Sequence, residues 1–255
     1  MAEMTDSDRN GFKEIRIYGA CVTGVSHIRD KEGCEDAWKA ELVTDLGSKR
    51  AVIAISDGLG SANDAKQGSQ IAVTAAIAFL TKNPGKVFEA VCFARQELVL
   101  CAEDLVLALR DLACTLVVAE LTQESISLAH IGDGVVIGQE SKSGTLLLLS
   151  GPGPSEYINE VIPLTAENSI DHIRCREESG INIFVMATDG CQGALFTRKD
   201  GEICPFEPFL RPLFTYFTPD ITEDIGSAAL NGLLSSEKMK MISDDDKTMV
   251  LVTRL

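Results

Sequence analysis

Hydrophobic positions fall in short runs that end at glycine or at an acid, a pattern typical of strands joined by tight turns. One predicted strand spans residues 13–28 and a second spans 37–45. The compact apolar run at 51–55 is typical of a strand buried on both faces, and it ends just before Asp57-Gly58. Further strands are predicted as an antiparallel meander, with turn residues between them, at 114–121, 125–131, 135–139 and 145–149.

Apolar residues at helical spacing replace this pattern in three places. Residues 61–80 predict a helix with Ser61 as its N-cap and Asp64 completing a variant of the capping box. Residues 86–109 predict a second long helix, and residues 221–235 predict a third. The apolar stripes of the first two helices are interpreted as faces that pack on a sheet.

The remaining segments are less regular. Residues 151–180 are polar without a period and predict a loop-rich insertion, which in a compact domain is more often functional than idle. A strand at 181–188 ends at Asp189-Gly190, residues 196–219 receive no assignment, and a last strand covers 249–253. The pattern predicts a disordered lead-in at 1–12 and one α+β domain at 13–255, with helices covering a two-sheet core.

The composition argues against several classes of partner and site. The net charge of −15 argues against nucleic acid and anionic membranes as partners, because contact with phosphates needs clustered Lys and Arg. The start of the chain lacks the features of a signal peptide, so the eight cysteines are expected to be reduced thiols in a cytoplasm. The sequence contains no Cys-x-x-Cys pair, so the cysteines do not indicate a zinc site. Cys34 has two interpretations, a redox-sensitive thiol or, as favoured, a small buried residue.

Acidic residues recur where the apolar runs end: Glu35-Asp36, Asp57, Asp133, Asp189 and Asp245. Each one alone is more simply a turn or a solvated loop, since Asp-Gly is a common turn dipeptide and Gly132-Asp133-Gly134 is typical of a hairpin. Together they predict carboxylates on rigid supports. Such a set suits a pair of Mg²⁺ or Mn²⁺ ions about 3.5–4 Å apart, which activate a bridging water for in-line displacement at phosphorus.

The order of these motifs resembles the metal-dependent protein phosphatases of type 2C. The resemblance runs from about residue 15 to 253 and is closest to bacterial members, which carry a Ser-His segment before the Glu-Asp pair, here Ser26-His27. The motifs, in family order, are Cys34-Glu35-Asp36-Ala37, Asp57-Gly58-Leu59-Gly60-Ser61, Cys114-Thr115-Leu116-Val117-Val118, Ala129-His130-Ile131-Gly132-Asp133, Ala187-Thr188-Asp189-Gly190 and Asp245-Asp246-Lys247-Thr248.

The resemblance implies a fold, an activity and a set of roles. The fold is a four-layer αββα sandwich of two antiparallel β-sheets flanked by helix pairs, with residues 151–180 as a flap beside the site. Asp57 would bridge two ions, with Asp189 and Asp245 completing one site and Glu35 and the carbonyl of Gly58 completing the other. Asp36 would hold metal-bound waters. Asp133, with Asp189, would be available to a third ion.

Two positions depart from the family pattern. Lys31 stands where some members place a phosphate-binding arginine, and an ammonium lacks the bidentate fork of a guanidinium. His27 and Arg29 are nearby substitutes. Leu59 stands where eukaryotic members carry a histidine that is a candidate general acid, so the leaving group would be protonated by metal-bound water or by His27. His130 is interpreted as a core residue.

The resemblance therefore implies a Mn²⁺- or Mg²⁺-dependent phosphatase that acts on phosphoserine and phosphothreonine in proteins, without a covalent phosphoenzyme. Two alternatives stay open. One is a catalytically weak pseudophosphatase that binds phosphoproteins or a kinase, and the other is a phosphatase for small phosphate esters. The expected partners are a phosphorylated protein and a serine/threonine kinase, and the expected form is a cytoplasmic monomer.

Overall fold

Two antiparallel β-sheets of five strands each form the centre of this computed structural model, which describes residues 14–30, 33–45, 48–152, 161–217 and 220–254. The strands are β1 (Ile15–Val22), β2 (Ala37–Asp45), β3 (Ser48–Ser56), β4 (Leu116–Leu121), β5 (Ser125–Ile131), β6 (Val135–Glu140), β7 (Leu146–Ser150), β8 (Arg174–Ser179), β9 (Ile181–Ala187), β10 (Phe196–Lys199), β11 (Glu202–Pro205) and β12 (Lys247–Arg254). The first sheet has the order β1-β12-β9-β6-β7 and the second has the order β2-β3-β4-β5-β8, while β10 and β11 form a separate hairpin.

Helices cover the outer face of each sheet. They are α1 (Val25–Asp30), α2 (Ala65–Lys82), α3 (Val87–Leu105), α4 (Gln192–Leu195), α5 (Glu207–Tyr216), α6 (Glu223–Leu234) and α7 (Glu237–Ile242). The apolar faces of α2 and α3 pack on β3, β4 and β5, and those of α5 and α6 pack on the first sheet. A third apolar cluster, which includes Ile53, Phe184 and Val250, fills the space between the sheets. The four-layer αββα prediction is therefore confirmed.

Some boundaries differ from the sequence prediction. The strand predicted over 13–28 ends at Val22, and residues 25–30 form α1 instead. The chain leaves the sheet there because the N–H of Gly24 donates to the Asp246 carboxylate and the N–H of Ser26 donates to the carbonyl of Asp244. The long helix predicted from Ser61 begins only at Ala65, after the N-cap Asp64.

Regular structure also occurs where the sequence predicted none. Within the segment 151–180, residues 174–179 form β8, which extends the second sheet by pairing with β5. The unassigned region 196–219 contains the β10–β11 hairpin and α5. These strands lack clear alternation because they lie at sheet edges or in a two-stranded hairpin, where burial selects residues only weakly.

The predicted meander is divided between the two sheets. β4 and β5 pair in the second sheet, whereas β6 and β7 pair in the first. The segment Gly132-Asp133-Gly134 is consequently a crossing between sheets and not the hairpin turn that its composition suggests. This crossing carries Asp133 to the end of the sandwich where other acids lie. In the described part of the chain, none of the helices combines the length and the hydropathy needed to cross a membrane.

Candidate active site

The strand register places the acidic motifs at one edge of the sandwich. Asp36 directly precedes β2 and Asp57 directly follows β3, and the neighbouring residues Ala37 and Ser56 pair with each other. In the other sheet, Asp189 lies just beyond β9 and Asp245 lies just before β12, whose ends pair through Ala187 and Met249. Both sheets thus end in acids on the same side of the molecule, with Asp133 between them.

We call this set of acids the acidic edge: Asp36, Asp57, Asp133, Asp189 and Asp245. Burial and mutual repulsion dominate its electrostatics. Burial, followed by the charges of Asp36, Asp189 and Asp133, raises the pKa of Asp57 well above its usual range. Burial raises the pKa of Asp36 to about 7, and burial together with the charges of Asp133 and Asp245 raises the pKa of Asp189 to about 7. The carboxylates are therefore close enough that ionising all of them at once is unfavourable. Bound protons or cations reduce this unfavourable free energy.

Buried carboxylate oxygens of Asp36 and Asp133 have no hydrogen-bond partner among the described residues. Asp36 accepts a hydrogen bond of 2.8 Å from the Thr188 hydroxyl through Oδ2, whereas its buried Oδ1 accepts none. Oδ1 of Asp133 is likewise buried and unsatisfied, and burial raises the pKa of this carboxyl. Buried oxygens normally find a partner, so these atoms suit a cation or its bound water.

The oxygen-only character of the edge fits hard divalent cations such as Mg²⁺ or Mn²⁺. No group of three or more His, Cys, Asp or Glu side chains in the described ranges is closed around a single point, so these residues form no finished cage. The fit therefore rests on the chemistry of the donors and on the unsatisfied oxygens of Asp36 and Asp133. Their supports are rigid, because each one lies at a strand end or in the crossing between the sheets.

Gly58 brings the strand end after β3 against the segment that carries Glu35. It forms a β-bridge with Cys114, and a Cβ placed on it would lie 2.9 Å from the carbonyl oxygen of Glu35. Only glycine allows that approach. The next glycine, Gly60, would have its Cβ 3.9 Å from Glu35 Oε2, so the carboxylate of Glu35 lies beside this loop. The backbone of Glu35 thus lies against Gly58 and its carboxylate lies beside Gly60, while a shared ion at Glu35 and the Gly58 carbonyl stays a prediction.

Asp246 holds the Glu35 segment in place, a role that the sequence did not reveal. Its Oδ1 accepts from the N–H of Gly24 at 2.6 Å, and its Oδ2 accepts from the N–H of Glu35 at 2.6 Å. The same Oδ2 contacts Nδ1 of His27 at 2.9 Å. We call this set of contacts the Asp246 clasp. The run of three acids at 244–246 signals a charged turn, but it does not show which acid points inward.

His27 therefore lies beside the acidic edge, with its ring oriented by Asp246. Burial opposes protonation of the ring, but the hydrogen bond to Asp246 and the nearby carboxylates outweigh that effect and raise the pKa of His27. Lys31, the other predicted phosphate contact, lies outside the described residues. Leu59 is half-buried and its N–H donates to the carbonyl of Ala113.

Arg174 is a second residue that the sequence analysis missed. Its Nη2 donates to the carbonyl of Gly132 at 2.6 Å, which fixes the crossing next to Asp133. Burial lowers the pKa of Arg174 while the charge of Asp133 raises it, so the guanidinium is the cation that faces the Asp133 side of the edge. No motif marks Arg174, because it reaches the site only through the pairing of β8 with β5.

His130 is a core residue, as predicted. Its side chain is fully buried, and Nδ1 forms a hydrogen bond of 2.7 Å with the Ser150 hydroxyl. Burial lowers the pKa of His130 well below its usual range, with a smaller effect from Arg174 in the same direction. His130 is therefore a neutral, fully buried residue of the core.

The comparisons agree with this geometry. A family model described as protein phosphatase 2C matches residues 23–235. The chain is 29% identical over 250 residues to serine/threonine-protein phosphatase 3 of Escherichia coli K12, which covers 92% of this chain and 97% of that protein.

Solved structures show the same fold. The serine/threonine phosphatase Stp1 from Staphylococcus aureus superposes with a TM-score of 0.63 at 12% identity, over 95% of each chain. The catalytic domain of PstP, described in complex with two manganese ions, superposes with a TM-score of 0.64 at 18% identity, over 94% of this chain and 97% of that one. The sequence-based resemblance is confirmed, and the chain belongs to the protein phosphatase 2C family.

Proposed function

We propose that this chain is a Mn²⁺- or Mg²⁺-dependent phosphatase of phosphoserine and phosphothreonine in proteins. The observation that carries the proposal is the acidic edge, where carboxylates from both sheets raise one another's pKa and buried oxygens of Asp36 and Asp133 lack partners among the described residues. Membership of a phosphatase family gives this edge its reaction class. The name of the Escherichia coli relative supports the choice of serine and threonine as the phosphorylated residues.

The proposed ligands follow the positions of the acids. Asp57 would contact two ions, Asp189 and Asp245 would complete one site, and Glu35 with the carbonyl of Gly58 would complete the other. When bound, such ions supply an activated water for in-line displacement and neutralise charge on the phosphoryl group. The two manganese ions described for PstP support a pair of ions in this chain. Asp133, with Asp189, would serve a third.

The chain's own residues orient the donors. Thr188 donates to Asp36, and the N–H of Thr248 donates at 3.0 Å to the hydroxyl of the same Thr188, so β9 and β12 together fix that carboxylate. The Asp246 clasp fixes the backbone of Glu35. Carboxylates that are held before substrate arrives do not have to reorganise during the reaction, which is how such sites lower a barrier.

His27 is the proposed proton donor to the leaving serine or threonine oxygen. Asp246 occupies Nδ1, which leaves Nε2 to carry the transferable proton, and the raised pKa of His27 favours the protonated ring. In this proposal Lys31 assists by attracting the phosphoryl group as a point charge. Arg174 adds a guanidinium beside the crossing that carries Asp133, through its hydrogen bond to the carbonyl of Gly132.

The substrate is proposed to be a phosphorylated protein that lies across the edge and against the flap at 151–180. The middle of that segment is attached near the site, because the N–H of Leu164 donates to the carbonyl of Cys114. The next residue, Thr115, donates its N–H to the carbonyl of Asp57. A serine/threonine kinase as functional partner, a monomeric state and a cytoplasmic location stay predictions from the sequence.

The test is metal-dependent release of phosphate from a phosphothreonine peptide by the purified chain. We expect release with Mn²⁺ or Mg²⁺, none with a chelator, and loss in Asp57→Asn but not in Asp104→Asn, which changes an exposed acid on α3. Turnover confined to small esters such as p-nitrophenyl phosphate would indicate the small-ester phosphatase instead. No turnover with either substrate across a metal series, together with tight binding of the phosphopeptide, would indicate the pseudophosphatase.

A further inference from the structure

Two thiols lie in contact beside the acidic edge. Sγ of Cys21 and Sγ of Cys34 are 2.9 Å apart, and both residues are half-buried. Neither sulfur belongs to the proposed ion sites, and both cysteines are free. No sequence pattern pairs them, because twelve residues separate them and helix α1 lies between.

The contact joins two different parts of the site. Cys21 lies on β1 opposite Thr248 of β12, the residue that hydrogen-bonds to Thr188. Cys34 directly precedes Glu35 and Asp36. Both sulfurs also lie 3.8 Å from the carbonyl oxygen of Asp36. A bond between the sulfurs would therefore tie the segment with two of the acids to the edge strand of the first sheet.

We propose that Cys21 and Cys34 form a reversible disulfide that lowers phosphatase activity when hydrogen peroxide oxidises the protein. The effect on activity rests on the proposed function, whereas formation of the bond does not. A disulfide has its sulfurs about 2.05 Å apart, so the two sulfurs have to approach by a little under 1 Å in total, a movement that falls on the Cys34 segment if β1 stays in place. Half-buried sulfurs stay accessible to a small peroxide while their contact favours each other over a second protein molecule.

The chemistry balances with one equivalent of peroxide. One thiol attacks the peroxide, its S–H bond and the O–O bond break, and a sulfenic acid and one water form. The second thiol then attacks that sulfenic sulfur, the S–S bond forms and a second water leaves. The two cysteines together lose two electrons and two protons, and the peroxide gains them. A dithiol reductant reverses the change by thiol–disulfide exchange.

Oxidation is expected to lower turnover because the disulfide and Asp246 restrain the Glu35 segment in opposing ways. The bond draws Cys34 toward β1, while the N–H of the next residue, Glu35, is held by Asp246 at 2.6 Å. Displacement of a positioned group by about 1 Å can cost about 100-fold in rate. We therefore expect oxidation to lower turnover by about 10- to 100-fold, and reduction to restore it.

Trp38 offers a readout that does not depend on activity. It is the single tryptophan of the chain, and it lies two residues after Asp36 on β2. Its ring packs on Gly19 of β1, where a Cβ would lie 2.4 Å from the ring. A bond that moves β1 relative to the Cys34 segment changes the surroundings of this ring, so the tryptophan emission should shift on oxidation.

The experiment uses the full chain with Cys175→Ser, which removes an exposed thiol able to link two molecules. The reduced protein is treated with hydrogen peroxide, and non-reduced peptides are analysed by mass spectrometry. We expect a peptide linked through Cys21 and Cys34, an emission shift, the stated loss of phosphopeptide turnover, and recovery with dithiothreitol. Cys21→Ser and Cys34→Ser should each abolish all of these changes. Cys204→Ser, which removes another half-buried thiol, should keep them.

Three results would overturn the proposal: absence of the linked peptide, unchanged turnover in an enzyme whose linked peptide is present, or equal inactivation of the Cys34→Ser variant. Failure of the proposed function gives a different result. In that case the reduced protein releases no phosphate at any metal concentration, while the linked peptide and the emission shift still report whether the disulfide forms.

Discussion

The two ends of the β3–β4 pair handle buried charge in opposite ways. At one end, Arg50 donates to Glu120 at 2.8 Å and to the carbonyl of Thr81 at 2.7 Å, so a buried cation and a buried acid satisfy each other. At the other end, Asp57 follows β3 among further acids, and burial and repulsion raise its pKa. The same two strands thus carry a charge pair that stabilises the fold at one end and a cluster that needs a ligand at the other.

The difference indicates which buried charges belong to folding and which belong to function. The Arg50–Glu120 pair also fastens the C-terminal end of α2 to the sheet, because Arg50 donates to the carbonyl of Leu80 as well. At the opposite end, burial and the charges of Asp36 and Asp189 raise the pKa of Asp57, so these acids disfavour one another's ionised form. Buried charges without a partner of opposite charge are expected where binding or catalysis requires them. Such charges lower the stability of the folded protein when its ligand is absent.

The largest expected effect is on catalysis at the acidic end. Asp57→Asn should lower phosphopeptide turnover by about 1000-fold or more, because it removes the carboxylate proposed to contact both ions. Turnover with saturating Mn²⁺ is the measurement, with Asp104→Asn as the control. Turnover within about tenfold of the wild type would contradict the proposed ligand set.

The next effect is on stability at the paired end. Glu120→Gln should lower the free energy of unfolding by about 3 kcal/mol, because it removes the buried charged partner of Arg50 and leaves only the exposed Asp45 beside the guanidinium. Urea unfolding followed by Trp38 fluorescence measures this loss. Glu124→Gln, at an exposed turn on the same side of the sheet, should change stability by less than about 0.5 kcal/mol. Turnover per folded molecule should equal that of the wild type in both variants. A large loss of turnover in Glu120→Gln would show that the Arg50–Glu120 end also contributes to catalysis.

A smaller effect is expected at the Asp246 clasp. Asp246→Asn retains one acceptor oxygen where the carboxylate used two, so Glu35 becomes less firmly held. The Mn²⁺ concentration for half-maximal turnover should rise by about 10- to 100-fold, the range found for groups that orient metal ligands. Asp244→Asn is the matched control, because that neighbouring acid is exposed and contributes its backbone carbonyl to the contacts with Ser26. Equal metal dependence of both variants would argue against the clasp.

The smallest effect separates stability from function at one residue. In a chelating buffer, Asp57→Asn should be more stable than the wild type by about 1 kcal/mol, because it removes one of several buried like charges. Thermal unfolding with and without Mn²⁺ is the measurement, and added Mn²⁺ should stabilise the wild type more than the variant. A variant that is less stable than the wild type in chelator would show that Asp57 supports folding, as Glu120 does.

The sequence was sufficient for the fold class and for the acids at the strand ends. Apolar runs that end in Asp-Gly mark strand ends directly, and the order of the motifs supplied the family. It was insufficient where long-range contacts decide the local structure. The Gly132-Asp133-Gly134 segment has the composition of a hairpin, yet pairing of β5 with β8 and of β6 with β9 turns it into a crossing between sheets.

The candidate site was incomplete for the same reason. Arg174 reaches the edge only through the register of β8, and Asp246 differs from its two acidic neighbours only in the direction of its side chain. Neither property is encoded in a local pattern. The contact between Cys21 and Cys34 likewise depends on how the chain returns from α1 to β2. Residues that act by positioning other residues can be identified only from the structure.

Crystals of this chain soaked in Mn²⁺ and measured at the manganese absorption edge give the most direct test of the acidic end as a two-ion site. We expect two anomalous peaks about 3.5–4 Å apart, both within coordination distance of Asp57. One should also lie near Asp189 and Asp245 and the other near Glu35, and both should disappear in Asp57→Asn. Well-ordered crystals without a peak beside Asp57, or with manganese only at acids elsewhere on the surface, would rule out the two-ion site.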